Sequence, residues 1–246
     1  MSSTVRPRPT HLVCLPYAGG SATTFRGWQE ELGGLATVQA ISLPGRADRW
    51  HLPLPENLHQ LADDLAEELV DDPRTPLALF GHSLGGLLAF ELTRRLVAAG
   101  RAPRLLVVAA CEPPSLPRPA NGVHTLPDDE FLTWVRAMGA TPPDVLDNDE
   151  LLSILLPVLR ADAALGETYR YRPAPPLPVP IATIAGREDD DAAPETMAGW
   201  AAETDQPIRE FQVDGGHMFV EHNRAAVLDA VRSALAVAGP VAERSR

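Results

Sequence analysis

The chain has 246 residues, with 21 cationic and 33 anionic side chains and a formal charge of −12. That length suits one large α/β domain or two small ones, and the acidic balance leaves no basic footprint for a nucleic-acid backbone. No run approaches the roughly 20 uninterrupted apolar residues of a membrane span, and Met1 to Pro9 lacks the apolar core of a secretory signal.

All 21 cations are Arg, beside 25 Pro, a bias that points to a genome rich in G and C more than to a function. Leu12–Leu15 is an apolar run closing on Pro16 and the loop Tyr17-Ala18-Gly19-Gly20, which reads as a buried strand. Phe25 to Leu32 reads as a short helix stopped by Gly33-Gly34, and Val38–Leu43 as a second strand stopped by Pro44-Gly45. Asn57 then caps a helix with Leu58, Leu61, Leu65 and Leu69 on one stripe. Its carboxylates Asp63, Asp64, Glu67, Glu68, Asp71 and Asp72 read as a solvated face, because no carbonyl-rich loop accompanies them. Leu77–Phe80 is a third strand, Gly81 to Gly86 a turn, and Leu87 to Ala99 a helix with Gly100 at its stop.

Leu105–Ala110, Val179–Ala185 and Ile208–Val213 complete the strands, with helices near Glu195–Thr204 and from Arg224 to about Val237. Strands alternating with helices predict parallel pairing and right-handed crossovers, hence an open sheet with helices on both faces. Cys14 and Cys111 fall in apolar strand-like runs and read as buried free thiols. The expectation is a cytoplasmic, disulfide-free monomer.

One segment breaks the alternation. Residues 112–178 are too long for a connection, and carry Phe131, Trp134, Val135 and Met138 at helical spacing, then Leu151, Leu152, Leu155 and Leu156. Pro157 is expected to end that helix or begin the next, with Arg160 to Tyr169 a further helical piece. Its borders are rich in proline (Pro113, Pro114, Pro117, Pro119; Pro173, Pro175, Pro176, Pro178). The segment reads as a helical lid inserted in a single domain spanning 1–246.

The informative string is Gly81-His82-Ser83-Leu84-Gly85-Gly86, directly between a strand and a helix. That is the setting of a nucleophile elbow, where a serine occupies a sharp, strained turn and glycine two residues away on either side avoids collision. A following helix aims its free N–H groups and positive dipole end at the serine oxygen. A serine hydroxyl needs a base, and the base an orienting acid, expected in the order Ser, acid, His on loops leaving later strands. Of the histidines after Ser83, His124 falls in the lid and His222 at the last helix, so His217 in Gly215-Gly216-His217 is the expected base. Asp189 is favoured over Asp190 as the acid, lying three residues beyond Gly186 where the chain turns off the sheet. His82 should point away from the Ser83 oxygen and serve in packing or hydrogen bonding. The oxyanion donors are expected from the Leu84 N–H and the Ala18 N–H, with Tyr17 as alternative to Ala18.

With these residues in place, nearly the whole chain resembles the type II thioesterases, stand-alone α/β-hydrolases that serve polyketide and nonribosomal peptide synthetases. The resemblance rests on Leu15-Pro16-Tyr17-Ala18-Gly19-Gly20 with Trp28, Leu43-Pro44-Gly45-Arg46 with Arg49, and the run from Gly81 to Glu91. Gly186-x-x-Asp189 and Gly215-Gly216-His217 complete it, and the departures are Leu84 where many members have Met and Met218 where an aromatic is usual. It implies hydrolysis of acyl thioesters on the phosphopantetheine arm of an acyl or peptidyl carrier protein, without cofactor or metal. Tyr17, Phe131, Trp134, Met138 and Met218, with the leucines from 151 to 156, are then candidates for the acyl chamber. Such carriers are usually acidic, as this chain is, so docking would need a local basic cluster, for which Arg46, Arg49, Arg136 and Arg160 are candidates. The competing readings are a general carboxylesterase or lipase with the same triad, a cyclising thioesterase domain, and a catalytically dead carrier-binding protein.

Overall fold

A computed structural model describes residues 8–74, 76–118 and 121–237; Pro119 and most of Met1 to Pro9 lie outside the described residues. Six strands, β1 (Thr10–Leu15), β2 (Ala36–Ala40), β3 (Leu77–His82), β4 (Leu105–Ala109), β5 (Ile181–Gly186) and β6 (Ile208–Val213), form one parallel sheet in the order β2-β1-β3-β4-β5-β6. Parallel strands are covered on both faces, so they read as continuous apolar runs, and the two-residue period deals their side chains to opposite sides. Val13, Leu15, Leu77, Leu79, Leu106 and Val108 enter one core; Leu12, Cys14, Ala78, Phe80, Val107 and Ala109 enter the other.

The first core is closed by α2 (Leu58–Val70) and α3 (Leu84–Ala98), the second by α1 (Trp28–Leu32) and α9 (Arg224–Val237). Asn57 caps α2 as its sequence predicts, accepting the Gln60 N–H at 2.8 Å. The expected helix from Phe25 is broken by Gly27 at φ 80°, giving a 3-10 turn Ala22–Phe25 before α1. The second strand pairs over Ala36–Ala40, earlier than expected, and Ile41 to Leu43 continue as a buried, extended exit from the sheet. Cys111 follows β4 instead of lying in it; both cysteines are buried free thiols.

The 112–178 segment, called the lid below after its expected role, holds α4 (Asp128–Met138), α5 (Pro143–Leu146) and α6 (Asp149–Thr168). Pro157 neither ends nor begins a helix, but sits inside the single helix α6. A proline there removes a helical hydrogen bond. The stripe that runs through it compensates, because Leu152, Leu155 and Leu156 before it and Leu159 and Ala163 after it share one lid core with Phe131, Val135 and Leu146. After β5 come the short α7 (Pro194–Met197) and a 3-10 stretch Ala198–Glu203, and after β6 the short α8 (Phe219–His222), which the sequence pattern did not separate from its loop.

Candidate active site

β1 sits where the sheet order reverses, since β2 lies on one side of it and β3 on the other. The loops leaving β1 and β3 therefore open a crevice at the carboxyl edge, the usual place for a ligand in an open α/β sheet. The turn after β3 is dictated by backbone crowding. A Cβ on Gly81 would stand 2.0 Å from the Gly85 carbonyl oxygen, and one on Gly85 would stand 2.2 Å from that of Leu15. Ser83 between them takes φ 54° and ψ −118°, a conformation costing an L-residue on the order of 1–3 kcal/mol. Its N–H donates to the Ala109 carbonyl at 2.9 Å, which ties the turn to β4. Although Ser83 stands at the N-cap of α3, its hydroxyl does not bond back to the helix. Instead, Oγ lies 2.9 Å from His217 Nε2.

The imidazole is held from its other side, with Nδ1 at 3.1 and 3.0 Å from the two Asp189 oxygens. Asp189 Oδ1 also accepts the Asp191 and Ala192 N–H groups, each at 3.0 Å. Burial raises the Asp189 carboxyl, but the hydrogen bond and charge of His217 and those two backbone donors outweigh it and leave it below the usual carboxylate range. Asp190 is exposed. The two loops carrying Asp189 and His217 are stitched together: Arg187 N–H donates to the Val213 carbonyl and Glu188 N–H to that of Gly215, and a Cβ on Gly186 would stand 2.4 Å from the Gly215 oxygen.

His82 points away from Ser83 and supports the imidazole loop. Its Nε2 lies 2.8 Å from the His217 carbonyl oxygen. Burial, then the nearby His217, push its pKa down to about 3, so the ring is neutral and donates to that carbonyl. Its ring also packs edge-on against Tyr17, His217 and Phe219. Tyr17 donates its hydroxyl to Glu221 on α8 at 2.8 Å, and burial raises its phenol.

Among the described residues, the N–H groups of Ala18 and Leu84 have no hydrogen-bond partner. Both residues border Ser83, Leu84 as its neighbour in chain and Ala18 as its companion in the wall of one cleft. That cleft is roofed by Trp134, Met138 and Leu159 from the lid and walled by Tyr17 and Met218. Phe131 is not at the cleft: it is fully buried in the lid core, stacked on Trp134 at 5.7 Å with the Arg160 guanidinium 4.4 Å over its ring. The leucines from 151 to 156 do not line it either. Leu151 is 47% exposed and the others pack within the lid, while Leu159, one turn further along, takes the place at the cleft.

The four arginines expected to greet a partner are all engaged. Arg46 is buried against Asp162, Arg49 pairs with Glu68, Arg136 with Asp147 and Arg160 with Asp128. The reason is local: each lies within reach of a carboxylate from a neighbouring element, which an exposed-cation reading of the sequence ignores. The acidic face of α2 is solvated for the most part, with Asp63 and Glu68 paired to Arg95 and Arg49. Among the described residues, the one grouping with metal-ligand geometry is Asp189, Asp191 and His217, whose ligand atoms lie within 4.8 Å of one another. Two of these are already bonded to each other.

A parallel sheet with a strained serine after β3, an acid after β5 and a histidine after β6 defines an α/β-hydrolase. The thioesterase domain model matches residues 10–235. PikA5 of Streptomyces venezuelae, a thioesterase, is 38% identical over 85% of this chain and 75% of its own length. LgrE of Brevibacillus parabrevis, named linear gramicidin dehydrogenase, is 35% identical over 89% of this chain and 85% of its own. The solved structure of the type II thioesterase BorB, from the borrelidin biosynthetic cluster, is 38% identical, covers 94% of each chain and superposes with a TM-score of 0.84. The chain belongs to the thioesterase family. Among the described residues no helix is long and apolar enough to cross a membrane.

Proposed function

We propose that the chain is a type II editing thioesterase of polyketide or nonribosomal peptide assembly, which hydrolyses acyl groups from the phosphopantetheine arm of a carrier protein. The observation that carries this reading is the Ser83–His217 contact of 2.9 Å at the floor of an apolar cleft, with Asp189 behind the imidazole. With Nδ1–H bonded to Asp189, Nε2 is the free base and accepts the Ser83 proton as Oγ attacks the thioester carbonyl. The Ala18 and Leu84 N–H groups receive the oxyanion. Collapse of that intermediate breaks the C–S bond, and the proton on Nε2 passes to the departing thiol. Water then enters, gives a proton to His217 and attacks the acyl-Ser83 ester; return of the proton to Oγ frees the carboxylic acid. Asp189 holds the ring in the productive tautomer and stabilises its cationic form in both halves.

The lid side chains Trp134, Met138 and Leu159 give the acyl chain an apolar enclosure. A dehydrogenase reading, suggested by the name of LgrE, lacks support here. A dinucleotide site needs a glycine-rich turn that opens directly into a helix after the first strand, whereas Gly19-Gly20 leads into a four-residue 3-10 turn. The buried free thiols favour a cytoplasmic setting. The test is hydrolysis of an acyl thioester on a carrier protein against the matched oxygen ester. Preference for the carrier thioester is expected; a strong preference for the oxygen ester would assign the site to a general esterase.

A further inference from the structure

A buried ion pair, outside the triad, joins the lid to the loop that offers the Ala18 donor. Asp162, on α6, has a fully buried carboxylate that accepts Arg46 Nη1 and Nη2 at 2.6 Å each and the Gly19 N–H at 2.7 Å. Arg46, which follows Pro44-Gly45 on the exit from β2, also donates from Nη1 to the Gly20 carbonyl at 3.0 Å. Two distant segments, one of them the lid, thus grip the backbone of Gly19 and Gly20.

The consequence for Ala18 follows from peptide geometry. The Gly20 N–H donates to the Tyr17 carbonyl at 2.9 Å, closing a turn with Gly19 at φ 81°, its third residue. In a trans peptide the Tyr17 C=O and the Ala18 N–H point opposite ways. With the carbonyl turned inward to Gly20, the Ala18 N–H is turned outward, and Ala18 faces the cleft with Ser83. The next peptide is fixed by Gly19 N–H on Asp162. Helix α6 lies close to this turn: a Cβ on Gly19 would stand 2.6 Å from Leu159 Cδ2.

We propose that Asp162 and Arg46 are positioning residues that hold the β1 loop so that the Ala18 N–H meets the oxyanion. Neither touches substrate, and the lid helix is part of the site's construction as well as its cover. This rests on the hydrolase reading above but not on the identity of the acyl carrier.

The experiment uses the full chain with Asp162→Asn, Asp162→Glu and Arg46→Lys, read on an acyl-pantetheine thioester and, independently, on an activated oxygen ester. Asparagine places an NH₂ among groups that are already donors, so the loop should lose its anchor. The expected result for Asp162→Asn is a fall in kcat of roughly 10- to 100-fold, less than the 10² to 10³ of deleting a donor outright, with KM within about twofold. Affinity for a trifluoromethyl ketone, which forms a tetrahedral adduct at Ser83, should fall by the same factor. Affinity for an unreactive amide-linked acyl-pantetheine should not change, and Asp162→Glu should recover part of the loss. A folded Asp162→Asn variant with kcat within twofold of the parent would overturn the proposal. So would an amide analogue weakened as much as the ketone, which would mean a general loss of the pocket. If Asp162→Asn does not fold, Arg46→Lys, which keeps the charge but not the two-pronged grip, is judged by the same criteria. An oxygen-ester preference in the parent would remove the carrier-thioester reading while leaving this test intact.

Discussion

The elbow and the lid reach the same cleft by different physics. At the elbow, position is set by backbone against backbone: Gly81 faces the Gly85 carbonyl and Gly85 faces that of Leu15, both closer than any Cβ would tolerate. In the lid it is set by side chains, a small core around Phe131 and Leu159 with ion pairs at its margins. Backbone contact permits almost no adjustment, which suits the nucleophile proposed for Ser83, held within hydrogen-bond range of His217. Side-chain packing tolerates change in shape, which suits the acyl enclosure proposed above. The lid is itself unequal along α6: Ile154, before Pro157, is 71% exposed, whereas Asp162, after it, is bound into the β1 loop.

A methyl group should therefore matter far more at the elbow than a polar group on the outer lid. Gly85→Ala is expected to cost roughly 3 kcal/mol, the upper end of overpacking, while Ile154→Ser should stay within about 0.5 kcal/mol. Denaturant melts of both variants measure the contrast, and equal effects would dissolve it. Within the lid, Trp134→Ala should raise KM for a long-chain acyl thioester roughly 10-fold and leave an acetyl thioester within about twofold, as a series of acyl-pantetheine substrates would reveal. Uniform loss across chain lengths would instead make Trp134 a fastener of the lid.

A further change concerns pH. His82 is held neutral with a folded pKa of about 3, whereas an unfolded histidine titrates near about 6.5. Between those values the unfolded chain binds more protons, so this group lowers stability as pH falls from about 6.5, by at most ~1.4 kcal/mol per pH unit. His82→Gln lacks that slope. The stability gap between the parent and this variant should narrow on acidification from pH 7 to pH 5; a constant gap in paired urea melts would show that His82 is not held neutral.

Much of this arrangement was readable in the chain because it is written locally. Gly81, Ser83 and Gly85 stand within five residues, between an apolar strand and a helix, and the turn follows from sterics alone. Parallel pairing and most helix positions followed from the alternation of strand and helix patterns, and α9 has the bounds expected from sequence, Arg224–Val237. The lid resisted because its contacts are between segments. Pro157 read as a boundary, since propensity could not weigh the apolar stripe continuing on both sides of it. Phe131 and Trp134 share one helix, yet one turns inward and the other to the cleft. Arg46 read as a surface cation because its partner, Asp162, is 116 residues away. One local signal does exist: from Leu159 to Leu165 Asp162 is the lone carboxylate, and apart from Arg160 every other residue there is apolar.

In the proposed mechanism the acyl group rests covalently on one oxygen, Ser83 Oγ. Reaction with an acylated carrier protein, quenched in acid and followed by mass spectrometry of the proteolysed chain, tests it directly. The peptide containing Ser83 should gain the acyl mass, and His217→Gln should weaken both formation and release of that adduct. Ser83→Ala should carry no adduct and lose on the order of 10⁴ to 10⁶ in turnover. Turnover that survives in Ser83→Ala, or an acyl mass found on another peptide, would contradict the account.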